Sequence, residues 1–488
     1  MISLKKQTTT AFLWDFIGKI VRQGMGFIVS IFLARLLEPS DFGMIAMVMV
    51  IIGMANVFTD IGLGGALIQR RKVLSIHYSS VFYFNVFIGS FLTVLIYLLA
   101  PLISEFYHNE ALLPLAQVMS LSFIIGALGS VQGTRLRKEL NYKILTKVSL
   151  VSSLMSGVVG ISLAFWGAGV WSLVAQSLTR GILYDILIWK KSGWVPDLQF
   201  SWKALKQLWG YGFRMFLSGL LEAVFSRLDY LVIGKLFEAS ALGFFQRAKS
   251  LNLFVIKYAS GSLMSVLFPV LSKVQRDLPR FQTIVLKALA MISFATFLML
   301  GGLYLVSKEL IVLLYGIKWL PSVYYFKILA LSGFAYPIST ILVNVLSSRG
   351  KSKEFLKLEI YKKMVFLVSI SVLYLYGIDA FLYALVIQAF INAILLNIFY
   401  ASKEIRLSFF TLFKPILIQM IIAIVSVFIV VEINEYNNFS DFMILIIKGI
   451  EYIILYIILN KIFNTNAYAY IQNELNPITK KILQKIKI

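Results

Sequence analysis

Polar and ionisable side chains recur at helical spacing inside one long apolar stretch of this chain. Arg214, Ser218, Glu222, Ser226 and Asp229 follow one another at intervals of four, four, four and three residues. Such spacing predicts a single polar stripe along one helix. Charged groups inside a hydrocarbon layer are costly, so they concentrate at cavities and pathways for polar or ionic ligands. The stripe therefore indicates a binding or transport site.

Further charges lie within three other apolar segments. The basic candidates for ligand binding are Lys19, Arg22, Arg214, Arg227, Arg247, Lys249 and Lys257. The acidic candidates for gating or ion coupling are Asp60, Glu222 and Asp229. We expect these side chains to line one central cavity, and its excess of positive charge suits a ligand that carries phosphate.

Several charges also have a purely structural interpretation. Lys19 lies four residues after Asp15, a spacing that also suits a local ion pair. Arg35 and Lys235 end their apolar segments and can snorkel to the membrane surface. Local pairs are also expected for Arg180 with Asp185 and for Lys448 with Glu451.

Other kinds of chemistry find little support in the sequence. The chain has no cysteine and two histidines, which argues against thiolate chemistry and a histidine metal cluster. No Gly-x-x-x-x-Gly-Lys-[Ser/Thr] motif occurs, so no ATPase phosphate loop is expected. No catalytic constellation is evident, and we predict a transporter, not an enzyme, without a cofactor.

The elements that position these charges are membrane helices. Of 488 residues, 59% are hydrophobic and 14% are charged, and the mean hydropathy is +0.84. Apolar runs of about 20 residues, long enough to cross a bilayer, recur along the chain. We predict an all-α membrane protein with about fourteen transmembrane helices, of which the eleventh and twelfth lie at 363–377 and 380–401.

An internal repeat organises these helices. Residues 36–43 (LLEPSDFG) return 200 residues later at 236–243 (LFEASALG). Six predicted spans separate the copies, which predicts two parallel six-helix bundles, an N-lobe and a C-lobe. The predicted domains are 1–190, a cytoplasmic linker at 191–207, 208–402, two extra C-terminal helices at 403–460, and a basic cytoplasmic tail at 461–488. The linker, rich in Trp and Lys, suits an interfacial helix.

Charge in the loops predicts the orientation. One set of loops holds most of the lysines and arginines, whereas the opposite loops hold Lys308 and Lys318 among mainly acidic residues. By the positive-inside rule, both termini are cytoplasmic. The net charge of +23 therefore reflects topology and contact with membrane lipids, and nucleic-acid binding is not expected.

Five segments carry a family resemblance. They are 33–43 (LARLLEPSDFG), 58–70 (FTDIGLGGALIQR), 227–237 (RLDYLVIGKLF), 242–248 (LGFFQRA) and 266–272 (VLFPVLS). Together they resemble bacterial polysaccharide exporters, the Wzx-type flippases of the MOP (multidrug/oligosaccharidyl-lipid/polysaccharide) superfamily. The second segment is typical of the branch with colanic acid, succinoglycan and teichuronic acid exporters.

The resemblance implies a function at the bacterial inner (cytoplasmic) membrane. It implies that undecaprenyl-pyrophosphate-linked oligosaccharide is flipped from the inner to the outer leaflet, by alternating access through the basic cavity. It allows coupling to H+ or Na+ and contact with the polysaccharide polymerase machinery, and we expect a monomer. Two alternatives within the superfamily are a multidrug/cation antiporter, which would favour an acidic cavity, and a lipid II flippase.

Overall fold

The computed structural model describes residues 4–434 and 440–473. Within these ranges it describes every side chain except those of 4–12, 15, 254–255 and 257–266. The described chain is helical, without a strand in these ranges. It forms two compact units, Met1–Gln246 and Arg247–Ile488. The predicted domain boundaries stay predictions, and residues 474–488 of the predicted tail lie outside the described residues.

The helices of the first unit follow each other with short connections. They are α1 (Leu4–Leu36), α2 (Pro39–Ala55), α3 (Leu63–Gln69), α4 (Ser75–Tyr107), α5 (Leu112–Lys138), α6 (Tyr142–Phe165), α7 (Trp171–Ser192), α8 (Trp202–Phe225), α9 (Leu228–Leu236) and the start of α10 (Ala239–Lys273).

The second unit holds the rest of α10 and eight further α-helices whose two ends are both described. These are α11 (Leu278–Leu305), α12 (Ser307–Tyr315), α13 (Pro321–Ser332), α14 (Ala335–Ser348), α15 (Ser352–Phe390), α16 (Asn397–Ile405), α17 (Phe409–Ile433) and α18 (Asp441–Ile462). Its apolar core is formed largely by α11, α14, α16 and α17.

Ten helical segments in the described ranges are long and apolar enough to cross a membrane. The chain is therefore a multi-pass membrane protein. Helices α7, α8 and α10 are not among the ten, and residues 352–405 form one segment of 54 residues. The fourteen-span arrangement in two six-helix bundles stays a prediction.

The apolar pattern of the sequence predicts continuous membrane helices at 42–67 and 208–236, and both are broken in the structure. The span at 42–67 is interrupted after Phe58, because Ile61 and Gly62 have φ angles of 43° and 72°. The span at 208–236 is interrupted between α8 and α9, where Arg227 has φ −122° and ψ −3°. The predicted single polar stripe is therefore wrong: it stops at Ser226, and Asp229 lies beyond the break.

A third interruption falls at Gly377 within α15. Its φ of 83° and ψ of −177° are not helical. Glycine tolerates this conformation because it lacks a Cβ atom. The break lies between the predicted spans 363–377 and 380–401.

The predicted interfacial helix across the linker, 191–207, is wrong, because the centre of the linker is not helical. Residues 193–201 are not helical, since Gly193 ends α7 in a left-handed conformation and Pro196 has no N–H to donate. The buried hydroxyls of Ser79 and Ser80 accept the backbone N–H groups of Asp197 and Ser201 at 3.0 and 2.9 Å. The linker is thereby held against the start of α4.

Candidate functional site

A polar cavity of about 510 Å³ lies within the first unit. It is bounded by α5, α6, α7 and the turn that precedes α3. Its lining residues are Asp60, Gly126, Gly129, Ser130, Gly133, Thr134, Arg137, Ser149, Ser152, Ser177, Arg180, Gly181, Tyr184 and Asp185. The lining thus combines charged groups and hydroxyls with residues that have no side chain.

Glycines on α5 make room for the side chains of α7. A Cβ atom at Gly129 would overlap the Asp185 carboxylate, and one at Gly133 would lie 3.3 Å from the Tyr184 hydroxyl oxygen. Small residues allow such close approach between membrane helices. Here they bring Tyr184 and Asp185 to the face of α5.

Asp60 connects the cavity to the broken second span. Its carboxylate accepts the Gly64 N–H at 2.9 and 3.1 Å, so it satisfies a free donor at the start of α3. Asn85, fully buried on α4, donates to Asp60 Oδ1 at 3.3 Å and to Ser130 Oγ at 3.1 Å. The charge of Arg137 also acts on Asp60. Asp60 is therefore a helix cap whose carboxylate also faces the cavity.

Asp185 has a different environment. Its Oδ2 atom is buried and has no hydrogen-bond partner in the described part of the chain. The predicted ion pair with Arg180 is wrong, because no such pair forms among the described side chains. Residues five apart project about 140° from each other around a helix. Asp185 therefore lines the cavity with one carboxylate oxygen that no donor in the described ranges satisfies.

The cations of the cavity come from three helices. Arg137 of α5 and Arg180 of α7 line it directly. Arg22 of α1 lies close enough for its charge to act on Arg180 and Tyr184. Arg137 and Arg180 thus line a space that also holds two carboxylates, and Arg22 lies near it, which suits a polar ligand with an anionic group.

Of the nine sequence candidates whose side chains are described, two, Arg22 and Asp60, belong to this cavity or its edge. Sequence reasoning missed Arg137 and treated Arg180 and Asp185 as a local pair. The sequence did contain a signal for Arg180 and Asp185. Both are charged residues inside the predicted membrane span 168–189, where charges indicate a cavity.

The other candidates of the first unit lie elsewhere in it. The side chains of Lys19, Arg214 and Glu222 are exposed. Arg227 packs on Gly53 and donates to the Ala223 carbonyl oxygen at 3.4 Å.

Asp229 is 2% exposed, and its Oδ1 atom accepts the Tyr230 N–H at 3.0 Å. Its position in the first turn of α9 suits a carboxylate near a helix N-terminus.

Three candidates lie in the second unit. The Arg247 guanidinium lies 5.7 Å from the ring centres of both Tyr315 and Trp319, a cation–π arrangement. Lys249 is partly buried. The Lys257 side chain lies outside the described residues.

The predicted pair of Lys448 with Glu451 is also wrong. Lys448 Nζ lies 3.0 Å from Glu309 Oε1, so the pair joins α18 to α12. Glu451 instead accepts a hydrogen bond from the Asn434 amide. Packing between helices distant in sequence decides this pairing.

Lys235 does more than snorkel. Its Nζ donates to the Phe106 carbonyl oxygen and lies 3.0 Å from His108 Nε2. The end of α9 is thereby joined to the end of α4.

The match to known proteins covers most of the chain. The family model described as "Polysaccharide biosynthesis protein" matches residues 32–324. The lipopolysaccharide biosynthesis protein WzxC of Escherichia coli K12 is 23% identical over 378 residues, which cover 76% of each chain. The teichuronic acid biosynthesis protein TuaB of Bacillus subtilis 168 is 27% identical over 331 residues, covering 67% of this chain and 66% of TuaB.

A solved structure shows the same fold. The lipid II flippase MurJ, in an inward closed conformation, superposes with a TM-score of 0.72. The alignment covers 93% of this chain and 100% of the MurJ chain at 16% identity. The family match and the similarity to WzxC and TuaB confirm the resemblance to Wzx-type polysaccharide biosynthesis proteins, and the MurJ superposition shows the shared fold.

Proposed function

The chain belongs to the polysaccharide biosynthesis protein family, and from this premise we propose that it flips undecaprenyl-pyrophosphate-linked oligosaccharide. The lipid-linked oligosaccharide would move from the inner to the outer leaflet of the bacterial cytoplasmic membrane. The names of WzxC and TuaB support a role in making a surface polysaccharide, and the MurJ-like fold supports lipid-linked cargo.

The observation that carries the proposal is the arginine-lined polar cavity within a membrane protein. A pyrophosphate with attached sugars cannot cross hydrocarbon unaided, because burying unpaired charged and polar groups is very costly. Arg137 and Arg180 would bind the pyrophosphate, with Arg22 adding positive charge at the edge. The volume of about 510 Å³ lies within the usual range of ligand sites, about 300–1,000 Å³.

The remaining features of the proposal follow from the sequence pattern. Two parallel six-helix bundles, with two further helices after them, would alternate access to the two leaflets. Both termini would be cytoplasmic. The protein would act as a monomer without a cofactor, use an H+ or Na+ gradient, and deliver its cargo to a polysaccharide polymerase.

Leaflet-resolved measurement of the lipid-linked oligosaccharide tests the proposal. In a deletion strain we expect the oligosaccharide to accumulate in the inner leaflet and surface polymer to be lost. Wild type should restore both, whereas Arg137→Ala and Arg180→Ala should restore them poorly. Arg276→Ala, which removes an exposed arginine of the second unit, is the matched control and should behave as wild type.

Unchanged lipid-linked intermediates in the deletion strain would overturn the proposal. Increased drug sensitivity in the same strain would then favour drug export. Arrest of cell-wall growth would instead favour lipid II as the cargo.

A further inference from the structure

The two carboxylates of the cavity, Asp60 and Asp185, differ in their hydrogen-bond donors. Asp60 accepts hydrogen bonds from Gly64 and Asn85, whereas Asp185 Oδ2 is buried without a partner in the described part of the protein. A buried carboxylate needs donors, because leaving it unpaired is costly. Hydroxyl groups of a ligand can supply them.

Along the axis of α7, Asp185 lies between Arg180 and Arg137. Arg180 precedes it by five residues on α7, about 7.5 Å along the helix axis. Arg137 lies on the other side of Asp185, near Tyr184. A Cβ atom at Gly133 would lie 3.3 Å from the Tyr184 hydroxyl oxygen and 3.9 Å from an Arg137 guanidinium nitrogen. A ligand that fills the cavity can therefore contact an arginine and Asp185 at the same time.

The surroundings of Asp185 suit a sugar ring. Gly129 has no side chain, so the Asp185 carboxylate packs against its backbone, and Ser130, Ser152 and Ser177 add hydroxyls to the cavity that Asp185 lines. Hydroxyls and carboxylates can both accept hydrogen bonds from a polyhydroxylated ligand. A role limited to carrying a proton would not need the hydroxyls.

We infer that Asp185 recognises the hydroxyls of the sugar that is attached to the pyrophosphate, and that this sugar is uncharged. The inference rests on the proposed function. A uronic acid at this position would bring a second carboxylate against Asp185, and such like-charge contacts disfavour binding. Asp185 is thus a specificity-determining residue, whereas the arginines bind the part common to all such lipids.

Binding by the purified full-length protein in lipid nanodiscs tests the assignment. The three probes are undecaprenyl pyrophosphate, undecaprenyl-pyrophosphoryl glucose and undecaprenyl-pyrophosphoryl glucuronic acid. Wild type should bind the glucose probe most tightly. Asp185→Asn and Asp185→Ala should weaken binding of the glucose probe about tenfold, the order expected for a hydrogen bond to a charged group. Their affinity for the sugar-free probe should stay unchanged.

The sugar-free probe also serves as the control for folding. Asp441→Asn, an exposed position at the start of α18, is the matched substitution and should leave all three affinities unchanged. Unchanged affinity of Asp185→Asn for the glucose probe would overturn the inference and leave a proton-carrying role. Equal losses for the glucose and sugar-free probes would also overturn it. Failure of wild type to bind any probe would overturn the proposed function itself.

Discussion

Gly43 and Gly243, equivalent positions of the internal repeat, pack reciprocally in the first unit. A Cβ atom at Gly43 would overlap the carbonyl of Ala239, and one at Gly243 would overlap the carbonyl of Pro39. Pro39 and Ala239 are themselves equivalent, and each is the first residue of its helix, α2 or α10. The glycines shared by the two copies thus allow the backbones of the two copies to touch.

Replacing Gly43 by alanine should destabilise the protein. The added methyl group meets backbone that cannot rotate away, and such overpacking costs about 1–3 kcal/mol. The measurement is the thermal unfolding midpoint of the purified protein. Gly24→Ala is the control, because no atom outside its own helix lies within 4 Å of a Cβ atom there. Equal midpoints for Gly43→Ala and wild type would contradict the close contact.

Asp60→Ala should destabilise the break between α2 and α3. It removes the acceptor of the Gly64 N–H and leaves the buried Asn85 amide with one partner fewer. Loss of a helix cap costs about 0.5–2 kcal/mol. Asp60→Asn keeps one acceptor oxygen, and its unfolding midpoint should lie between those of Asp60→Ala and wild type. The reverse order of the two variants would argue against the capping role.

Removing Lys448 alone should lower the free energy of unfolding more than replacing both Lys448 and Glu309. Glu309 is 5% exposed, so Lys448→Met leaves a buried carboxylate without its cation. Such losses typically cost about 3–5 kcal/mol, whereas replacing both partners by apolar residues is often neutral. A double-mutant cycle with Glu309→Leu, followed by denaturant unfolding, measures the coupling. Additive effects would show that the pair contributes nothing.

Ser79→Ala together with Ser80→Ala should release the linker from α4. Both hydroxyls accept backbone N–H groups of the linker, and each such bond contributes about 0.5–1.5 kcal/mol. Limited proteolysis should therefore cleave within residues 193–201 faster in the double variant. Ser371→Ala, an exposed position, provides the control. Equal cleavage rates would mean that other contacts hold the linker.

Part of the site was visible in the sequence. Asp60 stood out as an acidic residue inside an apolar segment, next to the Ile61–Gly62 turn that breaks the helix. Arg22 was found by the same reasoning. Arg137 lies at the end of a span among other basic residues, where a solvent-exposed role is the ordinary expectation, so its place in the cavity was not evident.

By itself, the sequence determined that the chain is helical, that it crosses a membrane repeatedly, and to which family it belongs. Helix formation and membrane crossing are local properties. An apolar run of about 20 residues is long enough to cross a bilayer, and it must be helical there so that its backbone groups are hydrogen-bonded, whatever its neighbours are. The repeat also marked Gly43 and Gly243 as equivalent. Only the tertiary structure decided which charges meet. Lys448 pairs with Glu309, 139 residues away, and Asp185 is left without Arg180. Helical periodicity specifies the face on which a side chain lies, but packing between helices selects what that face contacts.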